Sequence, residues 1–317
     1  MLILIILLIL GFVLLIKGAD WFVDGASSLA ANFKVPKMII ALTIVAFGTS
    51  APELAVSFSS MIDGNTEMLL GNIIGSNILN VLLILGVSSL FRTLTIHSNT
   101  VRKELPIIML MTTLLVVLMN DSLFDPVTVN ALTRSDGIVI LLFFMVFVYY
   151  LIYTIRKGHH EDEKPKFNII KSVLLTLIGI VCIIIGSDLV VNNANEIAII
   201  LGVSQKFISL TIVSIGTGLP ELVTSIVASK KGEEDIAIGN VVGSSIFNIG
   251  CVLGLSIAIF GGITSLTFTF VDLLMLMLSA LVLFITAIKD SKITHREGTT
   301  YLVLYAMYLV YLICSVI

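Results

Sequence analysis

The sequence predicts an all-α membrane protein of about ten transmembrane helices, arranged as two inverted-topology repeats of five. Three observations carry that prediction: apolar runs of membrane-spanning length, a self-match at a fixed offset of 168 residues, and basic residues confined almost wholly to alternate loops.

Of the 317 residues, 57% are hydrophobic and only 12% charged, whereas charged residues make up about a quarter of a soluble domain. A chain of this balance has the lipid bilayer as its partner. It calls for no nucleic acid and no obligate protein partner.

Crossing ~30 Å of hydrocarbon at about 1.5 Å per residue takes about 20 residues. Runs of that kind fall near 2–30, 38–62, 67–91, 104–120, 135–155, 168–192, 203–229, 235–260, 267–288 and 299–316. The first has no basic segment before Leu2 and no small-residue cleavage site ahead of Lys17, so it reads as a span rather than a signal peptide. Cys182, Cys251 and Cys314 are odd in number and lie inside apolar runs, so neither a disulfide framework nor a metal cluster is expected.

With the N-terminus outside, 15 of the 18 Lys and Arg residues fall in cytoplasmic loops, among them Lys34, Lys37, Arg102, Lys103, Lys166 and Lys231. Only Arg134 and Lys206 fall outside, and Lys17 lies within the first run. The positive-inside rule therefore sets both termini outside in a cell membrane protein.

The repeat is direct. TIVAFGTSAPEL at 43–54 matches TIVSIGTGLPEL at 211–222 in eight of twelve positions, and GNIIGSNILN at 71–80 matches GNVVGSSIFN at 239–248 in six of ten. Both matches are offset by 168, and the same offset pairs Gly11 with Gly179, Gly18 with Gly186, Asp20 with Asp188 and Gly86 with Gly254. Five runs per unit make the second copy enter the membrane from the opposite side. The units are 1–157 and 168–317, joined by a charged cytoplasmic linker at 158–167.

Glu53 and Glu221 lie deep in their runs, where a charge costs about 2.5–3.5 kcal/mol on insertion scales. Ala46, Thr49, Ser50 and Glu53 follow one helical stripe, as do Ser214, Thr217, Gly218 and Glu221. On the next run of each unit, Ser76 precedes Asn80 by four residues and Ser244 precedes Asn248 likewise. Pro52 and Pro220 each remove a backbone donor, freeing the carbonyls of Gly48 and Gly216. An oxygen-only donor set of this kind suits hard cations, and its flexibility suits Ca2+ better than Mg2+.

Other features read as structural. Gly71, Gly75, Gly239 and Gly243 suit close helix packing, Asp20 and Asp188 suit helix-end anchors, and the run from His159 to Glu163 suits a solvated loop.

At the paired GTSxPE-like and GNxxGS motifs, and over nearly the whole chain, the sequence resembles the Na+/Ca2+ exchanger family of the cation/Ca2+ exchanger superfamily. The resemblance implies a prokaryotic-type secondary antiporter, not an enzyme, without cofactors, with Ca2+ and Na+ as transported substrates. It implies Ca2+ at Glu53, Glu221 and the carbonyls of Thr49 and Thr217. It implies Na+ near Ser50, Ser76, Ser244 and the carbonyls of Ala46 and Ser214, with Asn80 and Asn248 at the centre. It also implies that the first and sixth spans slide as a mobile pair.

Two positions depart from the commonest microbial pattern: Gly218 lacks the second hydroxyl, for which Ser214 is a candidate substitute, and Asn248 stands where Asp is frequent. Since K+-dependent relatives carry Asp there, transport is expected to be K+-independent. Two carboxylates in one cavity repel unless cations or protons neutralise them, which favours exchange over leak. The alternatives are a Ca2+/H+ antiporter of the same superfamily and, further off, a cation channel. Channels usually build their rings by oligomeric symmetry, whereas this chain carries both halves itself.

Overall fold

The computed structural model describes residues 1–124, 130–157, 164–202, 214–263 and 270–316, and these are almost wholly helical. Helix α1 (Leu2–Phe33) stops where Lys34 enters the left-handed region at φ 55°, two residues before Pro36. A bent pair follows, α2 (Lys37–Thr49) and α3 (Ala51–Ile62), with 45° between them. Then come α4 (Thr66–Phe91), α5 (Leu105–Leu118) and α6 (Arg134–Lys157).

The second half contains α7 (Ile169–Ile200), α8 (Ser214–Thr217), α9 (Leu219–Lys231), α10 (Glu234–Phe260), α11 (Phe270–Asp290) and α12 (His295–Val316). Helices α1 and α7, and α4 and α10, begin and end within one or two residues of the 168 offset.

The bend has a chemical cause. Pro52 falls in the first turn of α3, where its missing N–H is harmless, and Ser50 at the junction takes φ −81°, ψ 5°. Pro220 and Gly218 repeat the arrangement between α8 and α9, with φ −85°, ψ 2° at the glycine. The segments Leu79–Leu85 of α4 and Asn248–Leu253 of α10 are wound as π-helix at nearly the same register. Such wide turns are frequent at functional sites.

Seven helices among the described residues are long and apolar enough to cross a membrane, and up to eight if the bent pair is one span. Two of the ten expected runs are not among them. Near 104–120 the π-helical segment Thr100–Glu104, which carries Arg102, Lys103 and Glu104, leads directly into the 14 apolar-rich residues of Leu105–Leu118. The run near 203–229 begins outside the described residues, so only α8 and α9 represent it. Residues 158–163 of the linker also lie outside, and Asn168 caps α7 by accepting the Lys171 N–H at 2.9 Å.

Lipid gives packed helices little hydrophobic incentive over lipid contact, so they associate by close van der Waals approach through small residues. Along α1 and α7, Gly11 abuts Gly186, Gly18 abuts Gly179 and Gly25 abuts Thr176, so the helices run antiparallel. A Cβ at Gly179 would stand 2.6 Å from the Phe22 nitrogen. Helices α4 and α10 form the enclosed centre, every residue from Ile236 to Ile246 being buried. Large apolar side chains such as Ile3, Phe12, Leu142 and Leu177 face outward.

The halves exchange their last helices. A Cβ at Gly298 of α12 would stand 2.9 Å from the Gly86 carbonyl of α4, and one at Gly137 of α6 would stand 3.1 Å from the Gly254 carbonyl of α10. Strand β1 (Leu94–Thr95) pairs antiparallel with β2 (Lys292–Ile293), and Leu132 bridges Ile263.

Candidate ion-binding site

The two helix breaks meet at the centre of the molecule. Glu53 occupies the first turn of α3 and Glu221 the first turn of α9, each 1% exposed. A helix N-terminus favours negative charge there. The Ser50 hydroxyl donates to Glu221 Oε1 at 3.1 Å, and the Ser244 hydroxyl reaches the same oxygen at 3.4 Å.

Thr49 completes the junction, its hydroxyl donating to Asn240 Oδ1 at 2.9 Å and lying 3.4 Å from Ser244 Oγ. The Ala46 carbonyl accepts the Ser50 N–H at 3.0 Å and faces the Ser244 hydroxyl at 3.5 Å. Past each break the helix resumes with Leu54 N–H to Ser50 C=O (3.1 Å) and Leu222 N–H to Gly218 C=O (2.9 Å). Among the described residues no backbone bond runs from Glu53 to the Thr49 carbonyl, or from Glu221 to that of Thr217.

Asn80 and Asn248 sit in the two π-helical turns and are 1% and 0% exposed. Glu53 Oε2, Glu221 Oε2 and Asn248 Oδ1 are buried without a hydrogen-bond partner, as are Nδ2 of both asparagines. An unsatisfied buried polar group costs about 1–3 kcal/mol, and native proteins carry few. Three unsatisfied acceptor oxygens in one centre are the donor chemistry of a hard cation.

Ser76 is buried one turn before Asn80, and Thr217 is half-buried at the end of α8. Ser214 opens α8, but its side chain lies outside the described residues, and with it the expected substitution for the missing hydroxyl. A Cβ at Gly218 would stand 2.8 Å from Leu79 Cδ2, so a side chain there requires Leu79 to shift.

Sequence reasoning passed over a pair of residues that organises this centre. Asn240 donates through Nδ2 to the Glu221 carbonyl (3.2 Å) and to Ser225 Oγ (2.9 Å), while its Oδ1 holds Thr49. Asn72, 168 residues earlier, donates to the Glu53 carbonyl and to Ser57 Oγ, both at 3.1 Å. Their signal was present as the N of each GNxxGS motif, hidden beside the glycines. Ser187 was also missed; its hydroxyl donates to the Gly216 carbonyl that Pro220 leaves unbonded, at 3.1 Å.

The glycine expectation divides. Cβ atoms at Gly239 and Gly243 would stand 2.5 and 2.6 Å from those of Ala41 and Ala46, so these residues do allow close packing on α2. At Gly75 nothing among the described residues lies within 4 Å. Asp20 is paired with Lys231 at 3.3 Å, in line with an anchoring part. Cys182, Cys251 and Cys314 are free thiols, and the described residues contain no group of three or more His, Cys, Asp or Glu able to hold a metal. The run from His159 to Glu163 lies outside the described residues.

Known proteins are similar to this chain over most of its length. The sodium/calcium exchanger protein family matches residues 3–153 and 171–314, leaving out the linker. The solved structure of the sodium-calcium exchanger NCX_Mj, soaked with 10 mM Na+ and zero Ca2+, is similar with a TM-score of 0.83 and 31% identity, over 98% of this chain and 99% of that one. The sodium/calcium exchanger MaX1 of Methanosarcina acetivorans is 28% identical over 97% of each chain. The inner membrane protein YrbG of Escherichia coli is 36% identical over 78% of each. This chain belongs to the sodium/calcium exchanger family, and is a membrane antiporter for Ca2+ rather than an enzyme.

Proposed function

We propose that the chain exchanges Na+ for Ca2+ across the plasma membrane by alternating access, without a requirement for K+. The observation that carries this reading is the meeting of Glu53 and Glu221, repeat-related and buried, with acceptor oxygens left unsatisfied beside Asn248. Ca2+ takes both carboxylates together with the Thr49 and Thr217 carbonyls, which no helical N–H across the breaks occupies. Na+ takes positions nearby, at Ser50, Ser76, Ser244 and the carbonyls of Ala46 and Ser214, with Asn80 and Asn248 between. Hydroxyl and amide oxygens in that number favour Na+ over H+ as the counter-ion, and a neutral Asn248 removes the extra charge that would favour K+.

Neutralisation of the carboxylate pair licenses the change of access, so each crossing carries Ca2+ or several Na+. The frame for it is two inverted repeats of five spans, 1–157 and 168–317, with both termini outside. The antiparallel contact of α1 with α7 and the shared register of α4 and α10 support that architecture.

The test is Ca2+ uptake by purified protein in liposomes under an outward Na+ gradient, an outward proton gradient, and neither, with and without K+. The reading expects uptake with the Na+ gradient alone, unchanged by K+. Uptake driven only by protons points to the Ca2+/H+ antiporter, and uptake with no gradient to a channel.

A further inference from the structure

The two carboxylates of the centre are surrounded unequally. Glu221 Oε1 accepts the Ser50 hydroxyl at 3.1 Å and lies 3.4 Å from the Ser244 hydroxyl, which in turn stands 3.5 Å from the Ala46 carbonyl. Ala46, Ser50, Glu221 and Ser244 thus bring oxygens to one point. Moved by 168 residues, the set becomes Ser214, Gly218, Glu53 and Ser76.

That second set is incomplete. Gly218 brings no hydroxyl to Glu53, whose Oε2 is buried without a partner, and Leu79 Cδ2 comes within 2.8 Å of where a Gly218 Cβ would stand. The residue equivalent to Leu79 is Phe247. Its ring packs on Phe47 and Phe144, with centroids 5.8 and 5.1 Å away, while Ser50 stays bonded to Glu221. Na+ and Ca2+ are held by oxygen, and a leucine methyl offers none.

Charge gives the same count. Among the described residues the buried charged side chains are Glu53, Glu104, Glu221 and Asp272, and the phenols of Tyr150 and Tyr308 hold Glu104 and Asp272. The centre therefore has two carboxylates to neutralise. One Ca2+ or two Na+ do so, whereas a third Na+ would be a buried charge without a partner.

We propose that Leu79, packed against Gly218, keeps the second-half position from carrying Na+, so that the chain moves two Na+ for each Ca2+ and no net charge crosses. One Na+ sits among Ala46, Ser50, Ser244 and Glu221, and the other between the carboxylates, where Ca2+ takes its turn. Ser76 and the Ser214 carbonyl, short of the hydroxyl, hold Na+ too weakly for it to travel. This rests on the Na+/Ca2+ reading above.

The test uses the native chain in liposomes under a threefold Na+ gradient, with the membrane potential held at zero by valinomycin and equal K+. Two Na+ per Ca2+ gives a steady Ca2+ ratio of about ninefold, and imposing a tenfold K+ gradient with valinomycin moves it by less than about twofold. A ratio near twenty-sevenfold, or one that shifts about tenfold with the K+ gradient, overturns the proposal and leaves Na+/Ca2+ exchange standing. Absence of any Na+-driven Ca2+ accumulation overturns that exchange reading and this one with it. Gly218→Ser with Leu79→Val should open the second position, so that the ratio rises toward twenty-sevenfold and follows the K+ gradient. A double variant that transports but stays near ninefold overturns the part given to Leu79. The native measurement needs no substitution, so it decides the stoichiometry even if the variant does not fold.

Discussion

The Ser50 hydroxyl of the first half donates to Glu221 Oε1 of the second at 3.1 Å, tying one helix break to the carboxylate of the other. The reciprocal bond has no donor, because the residue equivalent to Ser50 is Gly218. A hydrogen bond to a charged group contributes about 1.5–3 kcal/mol, so Ser50→Ala should raise the KM for Na+ about tenfold. Na+-dependent Ca2+ efflux from loaded liposomes reads this out.

The missing hydroxyl is replaceable only if room is made for it. Gly218→Ser alone meets Leu79 Cδ2 at 2.8 Å and should leave Na+ affinity near its starting value. Combined with Leu79→Val, it should lower the Na+ KM by about threefold, measured in the same efflux assay. A gain from the single substitution contradicts this view of Leu79.

Asn240 holds Thr49, the Glu221 carbonyl and Ser225, whereas among the described residues Asn72 is bonded to the Glu53 carbonyl and Ser57. Leaving such partners unsatisfied costs about 1–3 kcal/mol per group. Asn240→Ala should therefore lower the thermal midpoint in detergent more than Asn72→Ala, and should abolish transport. Equal midpoints would count against a special part for Asn240.

Charge is unequally shared between the two faces. Lys231 pairs with Asp20 (3.3 Å) and Asp24 (3.0 Å), Lys166 pairs with Asp24 (2.8 Å), and Lys37 pairs with Glu233 (3.0 Å). At the repeat-related positions Lys231 becomes Asp63 and Asp24 becomes Asn192, so the network is not duplicated. It fastens α1 to the rest of the molecule at the end of the bundle that carries Lys37 and Lys166. Partly exposed pairs contribute about 0.2–1 kcal/mol each. Lys231→Ala should accordingly raise cytoplasmic maleimide labelling of Ala31→Cys by about fivefold in a chain freed of its native cysteines.

The paired glutamates, the fixed offset and the helix-breaking prolines were legible in the residues because each imposes a local chemical demand twice. Asn72 and Asn240 were not, since an amide beside packing glycines looks the same whether it faces lipid or a carbonyl. The π-helical turns at Asn80 and Asn248 were also hidden, because their apolar neighbours fit an α-helix equally well. The cation network at Lys231 depends on which helix ends meet, and the exchange of α6 and α12 between halves depends on tertiary packing at Gly137 and Gly298.

If Glu53 and Glu221 share one Ca2+, equilibrium binding of radioactive Ca2+ to purified protein should give one Ca2+ per chain, displaced by Na+, with binding lost in Glu53→Gln and in Glu221→Gln alike. Full Ca2+ affinity in either single variant would contradict it.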